Sequence, residues 1–212
     1  MKPHLKDAAL AASTALTAIS SSGAASQSVD DLIAKLRDPD DKVRGPAWQN
    51  AGSLGAPAVK PLATVMSDPD MEVARAAKRG LWKIVRYAGR PGADSERKAV
   101  AKELIGLLAG QPTPVRREAI WMLSEIGDSE AVKPIAALLT DREAREDARA
   151  ALERIPGKES LSALQAGLAS VPEEFKPAIA NSLRVRGVKV SGYPSQKLVP
   201  TRPVTPGTPK TI

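Results

Sequence analysis

The stretch AVKPLATVMSDPD, Ala58 to Asp70, returns 73 residues later as AVKPIAALLTDRE, Ala131 to Glu143. No other feature of the 212-residue chain constrains its fold as much. A short repeated unit cannot bury its apolar face alone, so the units must stack and share one core. Small residues mark the period. Ala47, Ala77, Ala119, Ala148 and Ala178 lie 30, 42, 29 and 30 residues apart. A period near 30 with helix-length halves predicts a helical solenoid.

The first half of each unit carries apolar residues at helical spacing: Leu32/Leu36, Leu62/Val65/Met66, Leu104/Leu107/Leu108, Ile135/Leu138/Leu139 and Leu161/Leu164/Leu168. Such spacing puts them on one helix face. Turn chemistry follows. Asp38-Pro39-Asp40 and Asp68-Pro69-Asp70 read as a capping carboxylate before a proline at the first helical position, and Thr113-Pro114 as the hydroxyl version. Thr140-x-x-Glu143 and Ser170-x-x-Glu173 have the spacing of a capping box. Pro61 and Pro134 are expected in the first turn of first helices, where a missing N–H is tolerated. Gly55, Gly127, Gly157 and Gly187 close units one, three, four and five, which predicts left-handed helix stops.

The order Asp-Pro-Asp, then Val43-Arg44 or Val115-Arg116, then a small residue, an apolar face and a glycine resembles HEAT repeats. The run Val115 to Asp141 is similar to the short HEAT-like repeats of the phycobilin-lyase type. The resemblance covers about residues 28–187. It implies an all-α fold, an α-solenoid or HEAT-like superhelix of about five antiparallel helix pairs, with no strand. Two departures stand out. The link between units two and three is about a dozen residues longer, around Tyr87–Lys98, and unit five has irregular spacing at Phe175-Lys176-Pro177. The resemblance says less about function, since the family holds scaffolds, adaptors, lyases and a few DNA glycosylases.

Composition narrows the chemistry. Aromatic residues make up only 3% of the chain and cysteine is absent, so small-residue helix packing is favoured and thiol chemistry is excluded. The one histidine, His4, lies outside the repeats, which removes a zinc site or a Ser-His-Asp triad from the body. No catalytic residue, metal ligand set or cofactor is expected. The net charge of +7 is unevenly placed. Residues 27–188 hold 25 basic and 23 acidic residues, whereas 189–212 hold four basic residues and no acid. A nearly balanced body lacks the concentrated basic footprint of a duplex-binding protein.

Three regions are expected: a signal-peptide segment 1–26, the repeat domain 27–188, and a disordered Pro/Thr-rich basic tail 189–212. The first has Lys2 and Lys6 before a charge-free stretch from Ala8 to Val29, with small residues at Gly23-Ala24-Ala25. That pattern resembles a bacterial secretory signal and predicts a secreted or periplasmic protein, or a cytoplasmic one if the segment is not a signal. Its apolar run is too short for a comfortable membrane span. The tail has five prolines in 22 residues, from Ser191 on, and little to bury.

On a helical wheel Trp48, Trp82 and Trp121 fall off the core arc of the second helices and point roughly the same way. Arg75, Lys78, Arg79, Lys83 and Arg86 share that sector in unit two, and Arg117 lies there in unit three. Arg44, Arg116, Arg145, Arg149 and Lys176 continue the stripe. Arg44, Arg116 and Arg145 have a second reading, as partners of the turn aspartates Asp38, Asp68 and Asp141. Tryptophan beside guanidinium groups is the composition of binding hot spots. The leading expectation is therefore a non-catalytic protein–protein interaction scaffold or adaptor that holds an acidic segment of another protein on its concave face. The resemblance leaves two alternatives: a nucleic-acid-binding, DNA glycosylase-like protein and a chromophore-lyase-like protein.

Overall fold

The computed structural model describes residues 28–194. The signal-like segment 1–26 and most of the tail, 195–212, lie outside the described residues. Ten α-helices and no strand occur within them. They form five pairs: α1 (Val29–Leu36) with α2 (Asp41–Gln49), α3 (Val59–Val65) with α4 (Met71–Ala88), α5 (Asp94–Ile105) with α6 (Thr113–Ile126), α7 (Ser129–Ala136) with α8 (Arg145–Arg154), and α9 (Lys158–Ser170) with α10 (Lys176–Val185). First helices touch first helices along the stack, and second helices touch second helices. The result is two helical layers with one core between them.

The periodic apolar residues build that core. Leu32, Leu36, Leu62, Leu104, Ile135 and Leu164 are fully buried on the first helices. Val73, Ala77, Leu81 and Ile84 of α4 face them, as do Val115, Ala119, Met122 and Ile126 of α6. Four of the small-residue markers are buried, from Ala47 to Ala148. Ala178 is only half-buried, and Ile179, Ala180 and Leu183 take its place in the core. Unit five has thus slipped in register, which corrects Ala178 as its marker.

The long link between units two and three is mostly helix. Its extra residues extend α4 to 18 residues and α5 to 12, leaving only Gly89–Ala93 between them. Arg90 then clips the turn. Its guanidinium lies 3.9 Å from the Tyr87 ring centroid and pairs with Glu96 at 2.6 Å.

Several helix-start expectations are corrected. Asp38 and Asp68 bond the N–H groups of Asp40 and Asp70 at 2.8 and 3.0 Å, inside the turn. The cap itself is Asp40 for α2 and Asp70 for α4, accepting from Lys42 N and Glu72 N at 2.8 Å. Pro39 and Pro69 thus precede the helix and stiffen the turn. Thr113 is the first residue of α6, not its cap, and its hydroxyl donates to Glu143 at 2.5 Å. Neither capping box forms. Asp141 displaces Thr140, accepting the Glu143 N–H at 3.0 Å, and Ser170 lies inside α9. Pro134 is the sixth residue of α7, so its missing N–H falls in the helix rather than in the first turn.

The helix stops divide in two. Gly55, Gly157 and Gly187 have positive φ of 62°, 110° and 82°, the region that favours glycine. Gly127 does not; its φ is −69° with extended ψ, and it is required because a Cβ would collide with the Leu123 carbonyl. Arginines finish two of these same ends, those of α8 and α6. Arg186 donates to the carbonyls of Leu152, Ile155 and Gly157 at 3.0, 2.9 and 2.9 Å, and Arg97 donates to that of Ile126 at 3.1 Å. A cation there satisfies orphan carbonyls and complements the helix dipole.

Gly80 shows where this packing can be improved. It lies in the middle of α4, and an added methyl would meet Ala51, Leu62 and Trp48 at 3.6–3.7 Å, ordinary contact distances. Gly80→Ala should therefore raise stability by about 0.5–1 kcal/mol, through lower chain entropy in the unfolded state. Urea unfolding would check this, and a lower midpoint would show that the α2–α4 contact has no room.

Candidate functional site

Arg75, Arg79, Lys83 and Arg86 follow one another at intervals of four, four and three residues along α4. That spacing keeps them on one face, over about 16 Å of helix axis. Because α4 packs beside α2, the face forms one wall of a groove. Trp48, Arg75, Lys78, Arg79, Trp82, Lys83 and Arg86 line it, around a volume of about 560 Å³. Seven of the nine residues singled out from the sequence meet here.

The tryptophans form the floor, and cations sit on their rings. Arg79 lies 5.5 Å and Lys83 5.8 Å from the Trp48 centroid, and Arg86 lies 5.4 Å from that of Trp82. Both rings are half-buried against the core. Arg75 pairs with Glu72 at 2.6 Å. Lys78 pairs with Glu118 of α6 at 2.6 Å, and the same carboxylate accepts the Trp82 indole N–H at 2.5 Å. Among the described residues, Arg79, Lys83 and Arg86 have no carboxylate within 4 Å. Neighbouring like charges at these spacings repel by a few tenths of a kcal/mol per pair.

The remaining two residues, Trp121 and Arg117, line an adjacent depression of about 320 Å³ with Thr113, Pro114, Glu118 and Asp147. Glu118 and its two partners form the wall between the hollows. Asp147 is 5% exposed. It accepts the Trp121 indole N–H at 2.7 Å and the Arg117 Nε–H at 2.5 Å. Trp121 is 37% exposed, and no cation lies over its ring among the described residues.

Elsewhere the basic stripe is neutralised. Arg116 pairs with the next turn's Asp141 at 2.6 Å, which is the aspartate ladder read from the sequence. Arg44, 8% exposed, instead bonds the Asp38 carbonyl at 2.7 Å and pairs with Asp41, within its own unit. Arg145 reaches Glu174 at 3.0 Å and lies over Phe175. Arg149 is held by Glu146, Glu153 and Ser182, and Lys176 by Glu173. What the sequence reading missed is the pair Glu118 and Asp147. A signal was present, since each immediately precedes a buried marker alanine, Ala119 or Ala148.

The Arg116 guanidinium and the Glu143 N–H hold the Asp141 carboxyl below the usual carboxylate range. A carboxyl lowered in the folded state stabilises fully above its unfolded value near 4 and loses that contribution as pH falls through the lowered value. In an NMR pH titration, Asp141 should therefore titrate below the usual aspartate range, and Arg116→Ala should bring it back up. An unchanged titration would remove Arg116 as the cause.

Residues 101–184 match the family model described as HEAT repeats, a span running from α5 to α10. A two-layer stack of antiparallel helix pairs defines a helical-repeat protein. Over that span this chain is similar to HEAT repeats, and its fold is an all-α solenoid of helix pairs. No curated protein matches it at a significant level. Among solved structures, a crystal structure of an engineered protein is 24% identical over 74% of this chain and 78% of its own, with a TM-score of 0.39. A second engineered protein is 24% identical over 76% of this chain and 48% of its own, at 0.37. A designed armadillo repeat protein is 18% identical over 74% and 99%, at 0.31.

Proposed function

We propose that this protein is a non-catalytic interaction scaffold that holds an acidic segment of another protein in the groove between α2 and α4. The observation that carries the reading is the set Arg79, Lys83 and Arg86, three cations on one rigid helix without carboxylate partners among the described residues. They repel one another in the free protein. A polyanion relieves that repulsion and gains charge-assisted hydrogen bonds. Tryptophan rings fix the cations in place, which lowers the ordering cost of binding. Cations already occupy one face each of Trp48 and Trp82, which favours a carboxylate-bearing peptide over a stacked single strand of nucleic acid. Export through segment 1–26 would place this activity outside the cytoplasm.

A fluorescent peptide of alternating Asp and Ser, titrated against the full chain, tests the proposal. Binding should be saturable and should weaken steeply between about 50 and 200 mM salt, as screening shortens the reach of the cations. A neutral Asn/Ser peptide should not bind. Equal binding of both peptides, or stronger binding of a single-stranded oligonucleotide, would overturn the reading.

A further inference from the structure

We infer that the basic groove is half of a two-part track, and that the partner segment carries an apolar side chain seated on Trp121 about three residues from its acidic cluster. This rests on the groove reading above. Three observations lead to it. The two hollows are contiguous, since Lys78 and Trp82 on one side are both bound to Glu118 on the other. Their chemistry differs. The first exposes unpaired cations, whereas in the second Asp147 neutralises Arg117, so no unpaired charge from that pair faces an incoming ligand. Trp121 is the most exposed of the three tryptophans, and it alone offers a ring without a cation on it among the described residues.

The spacing follows from helix packing. Adjacent helices lie about 8–10 Å apart, and an extended chain covers about 3.3–3.6 Å per residue. An acidic cluster over α4 therefore puts a residue about three positions away over α6. There, Pro114 and the Trp121 ring offer apolar surface, and charge pairing has removed the penalty for a neighbouring hydrophobe. A segment with acid alone fills one hollow; a segment with acid and a leucine fills both.

The test uses the full chain and fluorescent peptides. One series places Leu three residues after an Asp/Ser cluster, another places it three residues before, and matched controls carry Ser instead. In one of the two orientations, Leu should strengthen binding by about tenfold or more over Ser, the yield of burying much of one side chain. Trp121→Gln removes the ring but keeps an N–H donor for Asp147. It should erase the gain from Leu while leaving the Ser peptide's affinity unchanged. Pro114→Glu, at an exposed helix start that tolerates acid, should reduce the gain without the risk of unfolding. Equal affinity for Leu and Ser peptides in both orientations would refute the track and leave the basic groove intact. Equal weakening of both peptides by Trp121→Gln, with the Leu gain kept, would assign the ring to the fold and likewise refute it. Failure of every acidic peptide to bind would instead bring down the groove itself.

Discussion

Reversing the two cations over Trp48, as Arg79→Glu with Lys83→Glu, should reduce acidic-peptide affinity by at least a hundredfold at low salt. Both side chains line the groove, midway along the α4 row from Arg75 to Arg86. Reversal replaces two attractions with two repulsions, and each 1.4 kcal/mol is a factor of ten. The fold should scarcely notice. Two exposed cation–π contacts worth about 0.5–1 kcal/mol each are lost. In return, Glu at 79 and 83 would face Arg75 and Arg86 at helical spacings, recovering about 0.2–0.5 kcal/mol per pair, while the 79–83 pair stays like-charged as it is now. Peptide titration beside a thermal melt separates the two effects. Undiminished binding with a normal melt would mean that the acidic segment docks elsewhere.

The second large effect concerns stability. Replacing Asp147 by alanine should cost about 2–3 kcal/mol, because two hydrogen bonds to a buried carboxylate disappear together. One comes from the Arg117 side chain, 53% exposed, so part of that pair's strength is already screened. The other comes from the indole of Trp121. Since α6 and α8 meet here, the loss loosens a junction between repeats rather than one helix. Asp147→Asn should fall between, keeping an acceptor for the indole but not the charge. Glu72→Ala is the control: it breaks an exposed pair with Arg75 and should change stability by no more than about 0.5 kcal/mol. Urea unfolding checks all three, and an Asp147→Ala midpoint equal to that of Glu72→Ala would contradict the argument.

Much of this was legible in the sequence because local rules decide it. A 3.6-residue apolar pattern names the core face of α4 whatever it packs on, so Val73, Ala77, Leu81 and Ile84 read correctly, and the cations on the opposite side followed. Positions decided by tertiary contact did not read. Glu118 and Asp147 look like ordinary solvated acids until α6 is laid beside α4 and α8 beside α6. Arg44 carries the same local pattern as Arg116, yet it turns to its own unit, where the Asp38 carbonyl and Asp41 are at hand. The dozen extra residues near Tyr87 read only as a longer link between units, in which Gly89, Pro91 and Gly92 mark the turn. Most became helix because the flanking residues continue α4 and α5. In the turns, two aspartates two residues apart compete for one capping role, and which one lies nearer the first helical N–H is settled by the proline between them.

Units three and four place an acid just before their marker alanine, and unit two places Ala76 there, 3% exposed. A repeat array can therefore acquire a binding surface by subtraction. Where the acid is present, the cation and tryptophan of the preceding helix are used up in holding neighbours together. Where it is missing, between units one and two, Trp48 is covered instead by Arg79 and Lys83, cations that stay open to a guest. A guest that supplies the missing carboxylates then does the work of an absent rung, and tightens the array as it binds. In such a protein, occupancy and resistance to unfolding are two readings of one equilibrium.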